Sequence, residues 1–513
     1  MTVKLNSATF FGVDAIPVNV EVFITHGVPG TMIVGLPDSS TREAKDRVVA
    51  AIKNSKFEYP VRKITINLSP ADIRKAGTSL DLPLAVGILI SAGLLRCRVA
   101  LENYIMAGEL SLTGGLNKIK SIIALGILAK KLNKCLLIPS KNKRVASLLG
   151  VDFHSFDSLS GVCEFIEGKK SAPETVDELP DNPVTLIPPC PDLMDIKGHE
   201  FAKRALEVAV SGRHNILFSG PPGSGKTMLA QAAQGIMPGL SVRESIETSN
   251  IYSFSRKRTA GEEDDLFISK RPFISVHHSI TTAGLIGGGG NNPVPGDISL
   301  AHNGILFIDE FSELSKKTLD SLRQPLQDGV VNLSRSRFSA IIPCDFMLIA
   351  AMNPCDCGYY GDKARECECS PADIFRFYKK LSGPVLDRID MFVEVYSVPA
   401  GMLMENTSIE GSAEVGERVL KTRKFQEERL IAGGFNEKYN SRLNESGLEK
   451  HINITKSALS FYNEACKKLD ISSRGYFRTL KVARTVADME GREAVQEDSI
   501  LEALNYKKTR LMK

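Results

Sequence analysis

The chain has 513 residues, 43% of them hydrophobic and 24% charged, with a formal net charge of +4. This length and composition suit about three soluble globular domains. The mild charge excludes a global cationic field, so any nucleic-acid contact has to come from local patches. The longest apolar stretch, Leu80–Leu95, is interrupted by Asp81, Pro83, Gly87, Ser91 and Gly93, and reads as a buried helix rather than a membrane span. Met1–Asn6 lacks the apolar core of a secretion signal. Four of the ten cysteines fall within fifteen residues, which points to a metal site or reduced thiols and not to a disulfide framework. A cytoplasmic protein with no membrane partner is expected.

In chain order, residues 1–167 alternate strand-like runs (Val18–Ile24, Thr31–Val34, Lys63–Asn67, Cys135–Ile138) with helix-like runs (Thr41–Lys53, Leu82–Ala92, Ile119–Lys131). That alternation predicts an α/β domain. Residues 168–192 hold six prolines and no sustained period, and read as a linker. Residues 193–398 form a third region, rich in short apolar runs that end in glycine, acidic or asparagine residues. Residues 399–513 are expected to be a helical domain, with helical periodicity from Glu414 onward.

The run Gly220-Pro221-Pro222-Gly223-Ser224-Gly225-Lys226-Thr227 lies between an apolar strand, Ile216–Phe218, and a predicted helix beginning at Met228. A phosphate-binding loop requires that context, because glycines let backbone N–H groups wrap phosphates at a helix N-terminus. Lys226 is placed to reach the β- and γ-phosphates of ATP, and the Thr227 hydroxyl to ligate Mg²⁺. Downstream, Ile305–Ile308 ends in Asp309 and Glu310. A buried parallel strand puts Asp309 at its C-terminal end, where it can hold Mg²⁺ through water, and Glu310 can orient and deprotonate the attacking water. The blander reading, a core strand followed by an acidic helix start, loses ground beside the phosphate loop.

A further apolar strand, Phe346–Met352, ends at Asn353, suited to hydrogen-bond the γ-phosphate or the lytic water. Asn353-Pro354 is equally a turn initiator. Arg388, flanked by Asp387 and Asp390, can serve a neighbouring subunit's γ-phosphate, or simply pair with those carboxylates.

Phosphate loop, Phe307–Glu310, Asn353 and Leu386-Asp387-Arg388, in that order, resemble an AAA+ ATPase. Ala283–Gly289 and Pro295–Gly304 resemble the magnesium-chelatase clade, and the 82 positions between Thr227 and Asp309 leave room for its insertion. The whole chain is similar to the ComM/YifB family of bacterial Mg-chelatase-like proteins. That resemblance implies a multi-domain α/β fold: a Lon-protease-like (ribosomal S5 domain 2-like, ChlI-like) N-terminal domain, an AAA+ core and a C-terminal helical lid. It also implies a homohexamer that uses ATP and Mg²⁺ to move on DNA, driving branch migration of recombination intermediates in natural transformation alongside recombination proteins. The rival is a chelatase-like motor remodelling a partner protein; a third reading is an ATP-dependent protease.

Within the family, Val330–Ser339 is the pre-sensor hairpin, whose Arg335 and Arg337 would meet phosphate oxygens of DNA in the ring's pore. Arg337-Phe338 departs from the smaller residues usual there, and solvated edge arginines are the alternative. Ser472–Arg478 resembles the clade's sensor-2 helix, in which Arg474 or Arg478 contacts the γ-phosphate from the lid. Arg474 is preferred, though arginines at i and i+4 also describe a solvated helix face.

Cys355-Asp356-Cys357 and Cys367-Glu368-Cys369 place four thiols in a short loop, which suits a closed tetrahedral Zn²⁺ site with a structural role. Four reduced thiols are the alternative. In the N-terminal region, Lys75–Pro83 resembles the segment of the Lon proteolytic fold that carries the nucleophilic serine, and Ser79 falls at that position. The matching lysine position holds Ile122 or Ile123, which accept no proton, although Lys118 and Lys120 lie nearby. A serine without a base is a weak nucleophile, so a scaffold or DNA-facing collar is expected in place of a peptidase.

Overall fold

Apolar and polar residues alternate over Val3–Asn6 of β1 (Val3–Phe11) and Val18–Val22 of β2 (Asp14–Thr25), which pair antiparallel from Val3↔Val22 to Phe11↔Asp14. The inward set, Val3, Leu5, Val18, Val20 and Val22, is buried, as a half-covered sheet requires. The structure, a computed structural model, describes residues 2–171, 190–255, 267–289, 292–335, 338–362, 365–381, 383–398, 410–435 and 437–507. Most of the expected linker and Arg337 therefore lie outside the described residues, and of Arg335 only the backbone is described.

β3 (Gly30–Val34), β4 (Lys63–Ser69) and β5 (Tyr104–Met106) extend the first sheet, and β6 (Glu109–Leu110) and β7 (Leu116–Asn117) form a small hairpin beside it. With β8 (Cys135–Pro139) and β9 (Phe153–Phe156) the sheet has seven strands in the order β3-β4-β2-β1-β5-β8-β9. The helices Ser39–Asn54 and Asp81–Ser91 cover one face through Ala44, Val48, Ile52, Leu82 and Val86. The other face is covered by Ile122–Leu132. That last helix begins three residues later than its apolar run predicts. Asn142 holds both the amide and the carbonyl of Ile119 at 3.0 Å, and Ser121 turns left-handed at φ +62°. The residues 119–121 are thus bound as a loop, and the helix can start only after them.

Ser79, at the position of the Lon-type nucleophile, is buried, and its hydroxyl has no hydrogen-bond partner among the described residues. The Lys75 ammonium is turned to the carbonyls of Pro70 and Ile73, and Ile122 and Ile123 are core residues of their helix.

The second sheet is parallel. β10 (Ile216–Ser219), β11 (Phe273–Val276), a short β12–β13 ribbon (Gly287–Gly288 with Val294–Pro295) and β14 (Ile305–Ile308) precede the β15–β16 hairpin (Val330–Arg335 with Phe338–Pro343). β17 (Met347–Met352) and β18 (Met391–Glu394) complete the order β11-β14-β17-β10-β18. β10, the first strand in sequence, lies between the last two, so the chain reverses its direction of travel across the sheet beside it. That is where open parallel sheets bind ligands. Alternate strand residues face two cores: Ile216, Phe218, Phe307 and Ile349 one way, Leu217, Leu306, Ile308 and Leu348 the other.

The first of these cores is shared with the C-terminal helices Ser412–Ala432, Glu445–His451, Lys456–Leu469, Ser473–Met489 and Glu497–Asn505. The expected helical region is therefore present and packed on the parallel sheet's own helices. The tight β1–β2 turn also reaches this half of the chain. Val13 is buried with Ile251, Leu300 and Ile342, Gly12 N donates to Asn292 Oδ1 at 2.9 Å, and Asn250 Nδ2 donates to Val13 O at 2.9 Å.

Candidate nucleotide site

β10 delivers the phosphate loop at the C-terminal edge of the sheet, and the helix Lys226–Ile236 leaves it. The glycines are required by geometry. A Cβ at Gly220 would lie 2.0 Å from Val395 O, and Gly225 holds φ +83° where the loop turns into the helix. A helix N-terminus with such a loop presents converging N–H groups to an anion.

Lys226 Nζ donates to Gly220 O at 2.7 Å and Pro221 O at 2.8 Å, and lies 3.5 Å from Asn353 Oδ1. Burial pushes its pKa down to about 8, partly offset by Asp309. Thr227 Oγ1 donates to Asp309 Oδ2 at 3.1 Å. A hydroxyl and a carboxylate so placed fit two positions in the coordination shell of Mg²⁺. Lys226, Thr227, Asp309 and Asn353, drawn from three neighbouring strands, therefore lie together. Glu310 follows directly, its amide donating to Asp309 Oδ1 at 3.0 Å and its backbone left-handed at φ +50°.

The sequence reading missed the neighbours of Glu310. His278 Nδ1 touches Glu310 Oε2, and the His278 ring lies 4.0 Å, centroid to centroid, from that of His277. His277 is fixed in turn: its Nδ1 accepts from Ser279 N at 3.3 Å. The available signal was a His-His pair directly after the run Phe273–Val276, which forms the strand beside the Asp-Glu strand.

The four clustered cysteines come together immediately after Asn353. Sγ–Sγ distances are 3.3 Å for Cys355–Cys357, 3.7 Å for Cys355–Cys367 and 3.5 Å for Cys357–Cys367; Cys369 Sγ accepts from Cys357 N at 3.4 Å. All four sulfurs lie within 4.8 Å of one another. A tetrahedral zinc with Zn–S bonds of about 2.3 Å needs sulfurs about 3.8 Å apart, so the set fits that ion.

The arginines form a different group. Ile216 pairs with Met391 and Ser219 with Glu394 in parallel register. Arg388, which precedes β18, therefore lies at the N-terminal edge of the sheet, opposite the phosphate loop. Its Nη1 donates to Pro384 O at 2.8 Å and its Nη2 to Gln327 Oε1. Burial lowers its pKa, with Arg474 and Arg323 adding repulsion. Arg474 pairs with Asp387 at 3.4 Å and its side chain is 65% exposed. Arg478 is half-buried and donates to Ile389 O at 2.6 Å and Leu386 O at 3.1 Å. Neither Arg474 nor Arg478 bonds to the phosphate loop of its own chain; both attach to the segment that carries Arg388.

No helix among the described residues is long and apolar enough to cross a membrane. Family models cover most of the chain: "Subunit ChlI of Mg-chelatase" matches residues 20–142, "Magnesium chelatase, subunit ChlI" residues 192–403, and "Magnesium chelatase, subunit ChlI C-terminal" residues 409–507. The competence protein ComM of Haemophilus influenzae is 40% identical over 505 residues, 98% of this chain and 96% of its own length. YifB of Salmonella typhimurium, itself uncharacterized, is 39% identical over 97% of this chain and 95% of its own. The magnesium-chelatase 67 kDa subunit of Chlorobaculum parvum is 26% identical over 173 residues, 32% of this chain and 23% of its own length. With its switch-point phosphate loop, its Asp-Glu strand and its chelatase-type C-terminal region, the chain belongs to the ComM/YifB family of Mg-chelatase-like AAA+ ATPases.

Proposed function

We propose that the protein is a homohexameric DNA motor that couples ATP hydrolysis to translocation and drives branch migration of recombination intermediates during natural transformation. The observation that carries the reading is the division of the ATP site. Gly220–Thr227, Asp309, Glu310 and Asn353 stand at one edge of the parallel sheet, and Arg388 and Arg474 at the other. A head-to-tail ring apposes one edge to the other, so each nucleotide is held by one subunit and its γ-phosphate is met by the next subunit's Arg388. Arg474, exposed beside Arg388, suits that role better than Arg478, whose guanidinium is engaged with backbone carbonyls.

In the site itself, Lys226 neutralises developing charge on the phosphates and Glu310 takes a proton from the attacking water. Thr227 and Asp309 hold Mg²⁺, which supplies charge neutralisation at the phosphates. The β15–β16 hairpin leaves the sheet between β14 and β17, the strands that carry Asp309 and Asn353, and Arg335 and Arg337 of its sequence are the DNA contacts in this reading. Similarity to ComM along almost the whole chain favours DNA over the partner protein of a chelatase, whose similarity covers about a third. Structural Zn²⁺ at Cys355, Cys357, Cys367 and Cys369, a cytoplasmic location and recombination proteins as partners complete the proposal.

The test is ATP turnover with and without forked or four-way DNA, alongside junction migration on a gel. Severalfold stimulation and junction movement are expected. Turnover indifferent to DNA at low salt rejects the DNA track and leaves the chelatase-like reading.

A further inference from the structure

We infer that Arg442, in the C-terminal helical region, is a positioning residue that fixes the β15–β16 hairpin on the ATPase core by clamping both ends of its base. The hairpin is entered from the helix Arg323–Asp328 through Gly329 and left through Cys344 and Asp345. Arg442 spans these two ends. Its Nη1 donates to Leu326 O at 3.3 Å on the entering side, and its Nη2 to Asp345 Oδ1 on the leaving side. Cys344 N closes the base by donating to Gly329 O at 2.8 Å.

Asp345 is fixed by every polar group it has. Its Oδ2 and its carbonyl each accept from Arg213 at 2.7 Å, its carbonyl also accepts from Asn303 N at 2.7 Å, and its amide donates to His302 Nδ1 at 3.0 Å. Arg213 ends the helix before β10, and Asn303 stands just before β14, so one residue, through its carboxylate and its carbonyl, ties the start of two core strands to the hairpin base. Charge-assisted bonds in partly buried surroundings are the stronger kind. The Arg213 side chain is 4% exposed, Asp345 31% and Arg442 27%. Tyr439, three residues before Arg442, stacks on Arg213 with its ring centroid 5.1 Å from the guanidinium carbon. Asp345 also stands two residues ahead of β17, whose six residues are all buried and whose far end leads to Asn353 beside Lys226.

A rigid strand thus joins the nucleotide site to the carboxylate that the helical region grips. A shift of that region carries Arg442, and Arg442 carries the hairpin. This role rests on the DNA-motor reading only for its effect on DNA-stimulated turnover; the clamp itself is independent of DNA.

Full-length Arg442→Ala and Arg442→Lys proteins test it by two readouts: ATPase with and without forked DNA, and hydrogen exchange of the amides of Val330–Arg335 and Phe338–Pro343 without DNA. In Arg442→Ala, basal turnover is expected within about twofold of the parent, with hairpin exchange about tenfold faster and the DNA-dependent increment down about fivefold. Lysine reaches Asp345 but lacks the fork to Leu326 O, so Arg442→Lys should fall between the two. Parental hairpin exchange in Arg442→Ala overturns the clamp. So does collapse of basal turnover in both variants, which would make Arg442 a general folding residue. If exchange rises as expected while the parent protein ignores DNA, the DNA reading fails and the clamp stands.

Discussion

Gly358 lies so close to Pro222 that a methyl group on it would reach Pro222 Cδ at 2.9 Å. The loop that gathers the four cysteines is therefore in contact with the loop that cradles phosphate, and whatever fixes the first loop supports the second.

With zinc at the four cysteines as proposed, removing it, or replacing Cys357 or Cys367 by serine, should raise the KM for ATP severalfold and lower Tm, because a structural zinc site contributes folding energy directly. Elemental analysis of protein kept reduced checks the premise. Less than half a zinc per chain rejects it.

The proposed division of the site between subunits is open to a complementation test. Lys226→Ala and Arg388→Ala should each be inactive alone, since one lacks the phosphate-loop lysine and the other the arginine offered to its neighbour. Mixed at equal amounts, randomly assembled rings carry both intact halves at about a quarter of interfaces, and turnover should reappear in proportion. No recovery on mixing, with ring assembly verified by mass, would place the two residues in one chain's site.

His278 touches the carboxylate of Glu310. His278→Ala should lower kcat about tenfold and leave the KM for ATP nearly unchanged, because the group it touches acts, in the proposed mechanism, on water and not on bound nucleotide. His278→Gln, which keeps a donor, should recover part of the loss. A change confined to KM would show that His278 serves binding instead.

Gly220→Ala puts a methyl group 2.0 Å from Val395 O, against backbone just past β18 that cannot yield cheaply. Nucleotide binding should be lost, with Tm reduced by several degrees through displacement of the loop from β18. Isothermal titration with a non-hydrolysable ATP analogue and a melting curve check both parts; parental affinity would contradict the packing.

The elements that chemistry marks locally were readable in the sequence. The phosphate loop announces itself through its glycines, β10, β14 and β17 through unbroken apolar runs, and Asp309, Glu310 and Asn353 through their place at the ends of those runs. What stayed hidden depends on which distant residues the fold brings together. β1 alternates too weakly at Asn6–Thr9 to stand out, because Ser7 and Thr9 are buried polar residues, Ser7 satisfied by Met106 O. The His278–Glu310 contact needs β11 beside β14, an adjacency that periodicity does not specify. The choice between Arg474 and Arg478 was open on spacing, because i and i+4 share a helix face, and only the carbonyls of Leu386 and Ile389 separate them.

The β1–β2 turn closes a small apolar socket on the other half of the chain: Val13 fills the space among Ile251, Leu300 and Ile342. Cutting the protein before Leu193 to isolate its ATPase half would uncork that socket and strip Asn250 and Asn292 of their partners, Val13 O and Gly12 N. A shortened ATPase of this kind should be sticky in solution and prone to aggregate. Its idling rate would then measure a damaged surface, and the N-terminal sheet belongs in any preparation meant to report how the enzyme works.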